Sequence, residues 1–149
     1  MEKRTELVDA EGFRAWHAML QAHVRLLGVL ERELQAETGL TMSAYEVLVT
    51  LRHEPRRYCR MQRLAEAVLL SKSGTTRVVA QLEELGLVVR EIPPDNRRTT
   101  LAVLTDAGLA RIDAAMPVLF RLVHEHFGRH LAPGEASTLT TVLSRIPAR

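Results

Sequence analysis

Apolar residues recur at three- and four-residue steps through most of this chain, and the rhythm breaks once, near residue 87. From residue 12 to about 37, Phe13, Trp16, Leu20, Leu27, Leu30 and Leu34 keep helical spacing with Arg and Glu opposite, which predicts a long amphipathic helix ended by Gly39. The next periodic segment, "TMSAYEVLVTL", predicts a second helix with Ala44, Val47, Leu48 and Leu51 on its apolar face and Pro55 as its stop. Ser43, with Glu46 three residues later, has capping-box spacing and is the expected N-cap. A short third helix over about Met61 to Val68 turns Met61, Leu64, Ala65 and Val68 inward. A fourth, in "SKSGTTRVVAQLEELG", buries Thr75, Val78, Val79, Leu82 and Leu85 and ends at Gly86.

Then the pattern changes. "LVVREI" and "TTLAVL" are rich in Val, Ile, Thr and Leu and read as the two strands of a hairpin. Pro93 and Pro94 have no N–H for a ladder, so the segment between the strands must leave the sheet as a protruding turn. Thr105 and Asp106 start a fifth helix, apolar at Leu109, Ile112, Ala115 or Met116, Leu119, Leu122 and Phe127, in which Pro117 predicts a kink or restart. A last helix follows Pro133 with Ala136, Leu139, Val142, Leu143 and Ile146 on one face. The fold class expected is mainly α with a small β-hairpin wing. A single domain over 1–149 is expected, with a lobe at 38–104 and long helices at 1–37 and 105–149. Those terminal helices carry more apolar face than a small central unit can cover, and a homodimer would bury it.

Composition narrows the class without naming a partner. At 149 residues, 46% hydrophobic and 26% charged, the chain suits an ordered globular protein. No apolar run approaches the roughly 18 residues of a membrane span. The charged N-terminus lacks a signal-peptide core. Cys59 is the only cysteine, so no intrachain disulfide can form, and a cytoplasmic setting is expected. Net charge is only +2, but its distribution is uneven: residues 52–63 carry five arginines against one glutamate. Eighteen of the twenty cations are arginines, which suit forked contacts to phosphate.

The chemistry-bearing residues gather at two places. The start of the fourth helix carries Ser71, Lys72, Ser73, Gly74, Thr75, Thr76 and Arg77: small hydrogen-bonding groups and cations at the positively polarised end of a helix. Ser and Thr also serve simply as caps there. The turn between the strands carries Asp95, Asn96, Arg97 and Arg98, with no core to serve. Arg60, in the basic run, joins them as a further candidate contact. Helix, turn, helix and two-stranded hairpin is the order of a winged helix-turn-helix. In "LAEAVLLSKSGTTRVVAQLEELGLVVRE" and "DNRRTTLAVLTDAG", together with "YEVLVTL", the chain resembles the MarR family of winged-helix transcription regulators. The wing followed by Leu104-Thr105 and Gly108 is the most diagnostic piece.

That resemblance implies a homodimeric repressor binding a pseudo-palindromic duplex, with a recognition helix in the major groove and a wing in the minor groove. It further implies release by a small-molecule effector in a cleft lined by the first helix, where Trp16 and His17 could touch it. Trp16 is otherwise expected in the core. The family pattern places Asp, any residue, then Arg in the wing. Counting back from Leu104 puts the pair on Asn96 and Arg98, whereas reading forward from Asp95 puts it on Asp95 and Arg97. The fixed distance to Leu104-Thr105 favours Arg98, braced by Asn96.

Other classes leave fainter marks. No zinc-protease, serine-hydrolase, phosphate-loop or paired-cysteine motif occurs, so an enzyme is not expected. Glu83 and Glu84 are adjacent and point to different helix faces, a poor acid–base pair. His124, His126 and His130 are placed on the fifth helix, where the four-residue step from His126 to His130 has metal-ligand spacing. Glu125, His17 or His23 would have to complete such a site, and surface or interface histidines are the expected reading, with no metal or cofactor. Cations beside Cys59 could lower its pKa, but peroxide-sensing relatives carry their thiol in the first helix, and a structural cysteine is expected. A metal- or redox-responsive regulator of the same fold, or a helical interaction module without DNA binding, are the alternatives.

Overall fold

In the computed structural model, which describes residues 2–68 and 70–147 with side chains from residue 10 onward, the elements are α1 (Glu2–Thr38), α2 (Met42–His53), β1 (Tyr58–Arg60), α3 (Met61–Ala67), α4 (Lys72–Glu84), β2 (Val88–Glu91), β3 (Leu101–Leu104), α5 (Asp106–His126), a 3₁₀ turn (Gly128–His130) and α6 (Glu135–Leu143). They fall into two compact units, Glu33–Leu122 and the two chain ends. α1 extends ten residues before the start its apolar rhythm predicts, through a charged stretch of good helix formers.

The unit Glu33–Leu122 is built around a small core. Leu48, Leu51, Leu64, Val79, Leu82, Val88 and Ile112 are fully buried or nearly so. Its sheet has the order β1–β3–β2, all antiparallel. The hairpin is as expected, with Val88 opposite Leu104 and Glu91 opposite Leu101. The third strand, β1, is not foreshadowed by the sequence pattern: Cys59 pairs with Ala102 across a three-residue ladder. A run of "YCR" has neither the length nor the alternation to announce a strand, and it exists because β3 offers it an edge. Arg57 precedes it at φ 56, a left-handed conformation costing about 1 kcal/mol or more in a non-glycine residue. There the Arg57 carbonyl accepts the Leu104 N–H at 2.8 Å, tying the turn to β3.

Helix ends follow local chemistry, with corrections. α2 is capped by Thr41, whose hydroxyl accepts the Ala44 N–H at 3.1 Å, and not by Ser43. Leu40 and Tyr45, buried on either side of that cap, occupy hydrophobic-staple positions, so burial chose the entry point over capping-box spacing. At the end of α4, Gly86 takes φ 71 and the Leu87 N–H reaches the Leu82 carbonyl at 2.9 Å, a Schellman closure. That reversal turns Leu87 inward and leaves Leu85 64% exposed, against the expectation that Leu85 is core. Pro117 lies inside an unbroken α5 and does not restart it. Ile112, Ala115 and Leu122 on either side are buried, and packing there outweighs one missing backbone bond.

Arginine side chains help hold the helices and strands of this unit together. Arg111 donates to the Thr38 carbonyl at 2.9 Å, satisfying the C-terminal end of α1. Arg121 takes both oxygens of Glu37, Arg52 pairs with Asp113, and Arg90 pairs with Glu83. The other unit comprises the body of α1, the last turn of α5 from Val123, the 3₁₀ turn and α6. Its apolar faces are open: Phe13 is 62% exposed, Trp16 50% and Ile146 60%, so Trp16 is not core within one chain.

Where the wing returns to α5, the fit is close. Thr105 donates its hydroxyl to the Gly86 carbonyl at 2.7 Å and accepts the Gly108 N–H at 3.0 Å. A Cβ on Gly108 would stand 2.0 Å from the Leu87 carbonyl oxygen and 2.7 Å from Leu104 Cδ1. Gly108→Ala must therefore displace backbone, and we expect a loss of about 1–3 kcal/mol. Denaturant unfolding at fixed m-value measures it, and wild-type stability would show that α5 can shift freely.

Candidate nucleic-acid interface

The first turn of α4 is a helix N-terminus with no acidic residue in it. Ser71 caps it, its hydroxyl accepting the Gly74 N–H at 3.0 Å, while Lys72, Ser73, Thr76 and Arg77 are exposed. The opposite face of the helix, Val78, Val79 and Leu82, is buried, so packing decides which side chains point outward. Thr75 is the exception among the candidates. It is fully buried and donates its hydroxyl to the Ser71 carbonyl at 3.0 Å, so it serves packing and cannot reach a ligand. Ser71 is committed to the cap and Thr76 donates to the Lys72 carbonyl, which leaves Lys72 and Arg77 as the outward cations of this turn.

Two successive turns build the wing tip. The Asn96 N–H bonds the Pro93 carbonyl at 3.2 Å, with Pro94 in the position where a fixed φ suits a turn, and the Thr99 N–H bonds the Asn96 carbonyl at 3.1 Å. Arg97 and Arg98 are the central pair of the second turn, and both are exposed. The Asn96 side-chain oxygen accepts the Arg98 backbone N–H at 3.2 Å. So Asn96 does brace Arg98, through the main chain and not through the guanidinium, a role for which an amide serves as well as a carboxylate.

The wing is fixed to the helix behind it by Arg90. Its backbone N–H and its guanidinium engage both oxygens of Glu83, at 3.0 and 2.9 Å. Those bonds lower the Glu83 pKa from its usual value near 4.5. In the sequence Glu83 stands out only as a poor catalytic acid, and its link to Arg90 requires knowing that β2 folds back along α4.

Arg60 is the cap residue before α3 and is exposed on the wall of an open groove of about 900 Å³. On one side of it stand Arg56, Arg60 and Arg63, and on the other the wing residues Asp95, Asn96 and Thr99. Arg63 bonds Glu54 at 2.9 Å. Apart from Arg60, these groove residues on the α3 side were not among the sequence candidates, although the basic run 52–63 was the signal.

Cys59 lies buried beneath, and burial, with Glu54 nearby, pushes its thiol up to about 11. The neighbouring cations do not activate it. His124 and His126 lie in α5, but His130 stands beyond it in the 3₁₀ turn, so the helical spacing from His126 to His130 is absent. Among the described residues no three metal-ligating side chains of the His, Cys, Asp and Glu types come together. Trp16 and His17 both meet Phe13 on α1, at ring-centroid distances of 5.4 and 6.3 Å. No helix of the described residues is long and apolar enough to cross a membrane.

A profile described as MarR family matches residues 38–99, which hold α2, β1, α3, α4, β2 and the wing turn. The chain is 31% identical over 127 residues to the uncharacterized HTH-type transcriptional regulator YdgJ of Bacillus subtilis, covering 85% of this chain and 74% of that one. It is also 31% identical to Sco3205 of Streptomyces coelicolor, a MarR family transcriptional regulator whose crystal structure is in complex with DNA. That match has a TM-score of 0.85 and covers 92% of this chain and 86% of the other. The chain belongs to the MarR family of transcriptional regulators. Its mainly helical fold with a three-stranded antiparallel sheet is the winged helix of that family. BpsR of Bordetella bronchiseptica, at 22% identity and a TM-score of 0.79 over 89% of this chain and 98% of that one, shares the fold; its DNA binding is regulated by 6-hydroxynicotinic acid.

The Glu83–Arg90 pair makes a pH test of the MarR wing. A carboxylate whose folded pKa is depressed stabilises above its unfolded value, near 4.5, and that stability is lost as pH falls through the folded pKa. Wild-type Tm should therefore fall below about pH 4.5 more steeply than that of Glu83→Gln. Parallel curves for the two proteins would show that the pair adds nothing.

Proposed function

We propose that this MarR protein is a homodimeric repressor, acting in the cytoplasm, that places the first turn of α4 in a major groove and the wing tip in the adjoining minor groove. The observation that carries the reading is the pairing, on one lobe, of an acid-free helix N-terminus bearing Lys72 and Arg77 with a two-turn wing tip presenting Arg97 and Arg98. Ser73, Gly74 and Thr76 are small enough for close approach to the groove floor, while Ser71 positions the helix end. Likeness to Sco3205, solved with DNA, supports the same partner for this chain.

Minor-groove width suits arginine insertion without detailed base reading, especially over A·T-rich sequence. Arg98 is the inserted side chain because Asn96 holds its backbone in place, while Arg97 contacts a flanking phosphate and Asp95 steadies one of the two arginines. On a selected operator, Arg98→Ala should lose affinity most where the flanks are A·T-rich. Arg97→Ala should weaken A·T- and G·C-flanked operators alike. The reverse pattern exchanges the two roles, and two unchanged affinities mean the wing does not touch DNA.

Dimerisation is supported by the open apolar faces of α1 and α6. Leu139, Val142, Leu143 and Ile146 are each between 38% and 60% exposed in one chain, more apolar surface than a monomer keeps wet. Deleting residues 134–149 should give a monomer by light scattering and abolish bridging of two half-sites one helical turn apart. A truncated protein that stays dimeric with full operator affinity overturns that assignment. A small-molecule effector, supported by the regulation of BpsR, would be sensed at Trp16 and His17 on α1 and would release DNA.

A further inference from the structure

The groove beside the wing does not stand alone. A smaller depression of about 230 Å³, lined by Met61, Gln62, Ala65, Lys72 and Thr76, lies between α3 and the first turn of α4. Gln62 belongs to both. Adjoining at Gln62, they form the two parts of a trough, with Lys72 and Thr76 of α4 at one end and Arg63, Asn96 and Thr99 at the other.

A duplex that holds α4 in its major groove and the wing tip in its minor groove has one phosphodiester strand between those grooves. That strand must cross whatever surface separates α4 from the wing, and this trough occupies that surface. We propose that the trough seats the intervening phosphodiester strand, with Arg56, Arg60 and Arg63 as its phosphate contacts and Gln62 as a neutral donor at the crossing point. The inference rests on the DNA-binding reading above and adds to it a third, central contact region that neither the recognition helix nor the wing tip supplies.

Charge along the trough fits this use. The guanidinium groups of Arg56 and Arg60 make no hydrogen bond or ion pair among the described residues, and both side chains are exposed. Arg63 spends only one terminal nitrogen on Glu54, leaving other N–H donors of its fork for a phosphate. Three acids also face the trough. Glu54 is held by Arg63, Glu66 accepts the Gln62 amide at 3.4 Å, and Asp95 stands at the wing end. Glu66 is then a carboxylate beside Gln62 that pairs with no cation among the described residues, and its removal should strengthen DNA binding.

The test uses the full chain and an operator selected from random duplexes, with affinity measured between about 50 and 200 mM salt. Removing one arginine–phosphate pairing lowers the slope of log K against log salt by about 0.9, so Arg56→Gln and Arg63→Gln should each shrink the salt-driven loss of affinity about threefold per half-site. The weakening should be equal for A·T- and G·C-flanked operators, Arg63→Lys should restore the slope, and Glu66→Gln should tighten binding. Phosphate ethylation between the two grooves should interfere with wild-type binding and with Arg56→Gln binding less. Unchanged slopes in both arginine variants, with circular dichroism confirming the fold, overturn the proposal while Arg77→Ala and Arg98→Ala still weaken binding. Wild-type protein that shifts no duplex at low salt fails the DNA-binding reading itself, and the trough assignment with it.

Discussion

The junction of Gly86, Leu87, Thr105 and Gly108 is the constraint on which the lobe depends. Within a few ångströms the chain ends a helix, starts a strand, finishes a second strand and starts another helix. Gly86 supplies the left-handed turn, Leu87 drops into the core, and its carbonyl receives the Thr105 N–H at 3.1 Å. The Thr105 hydroxyl joins the Gly86 carbonyl to the Gly108 amide, and Gly108 lacks the one atom that would prevent α5 from approaching. With both hairpin ends held there, the position of the wing relative to α4 becomes a property of the backbone.

Arginine does two different jobs in this molecule, and the partner of each side chain decides which. Arg52, Arg90, Arg111 and Arg121 are turned to carboxylates or a helix-end carbonyl and hold helices and strands of the lobe together. Such exposed pairs contribute modestly one by one, and their value is geometric: a forked donor fixes the angle between the elements it joins. Arg56, Arg60, Arg77, Arg97 and Arg98 make no such contact among the described residues and remain at the surface. Formal net charge conceals this division, because the carboxylate pairs cancel while the unpaired groups do not.

At Asn96 the bond that shapes the second turn of the wing asks only for a side-chain oxygen. A carboxylate and a carboxamide differ in charge but offer the same oxygen to the backbone N–H two residues on, and the turn uses only that oxygen. Thr75 illustrates the converse. It sits among residues that look alike in sequence, yet burial removes it from the surface that Lys72 and Arg77 share.

Much of this fold was legible in the residues because helices and hairpins announce themselves through local rules. The apolar faces of α2 and α4, the left-handed stop at Gly86, the wing set off by two prolines, and the outward cations of the α4 turn all follow from periodicity and turn chemistry. What could not be read was everything that depends on one segment lying beside another. β1 is a strand only because β3 lies alongside it, Thr41 caps α2 because Leu40 and Tyr45 are buried together, and α5 runs through Pro117 because its flanking turns are packed. Leu85 and Leu87 exchange inside and outside across a single glycine, which composition cannot foresee. The trough between α3 and the wing was equally hidden, since its two walls lie some thirty residues apart in sequence. Local patterns are set by neighbours three or four residues away, whereas burial, strand partners and shared surfaces are set by residues the chain brings together only on folding.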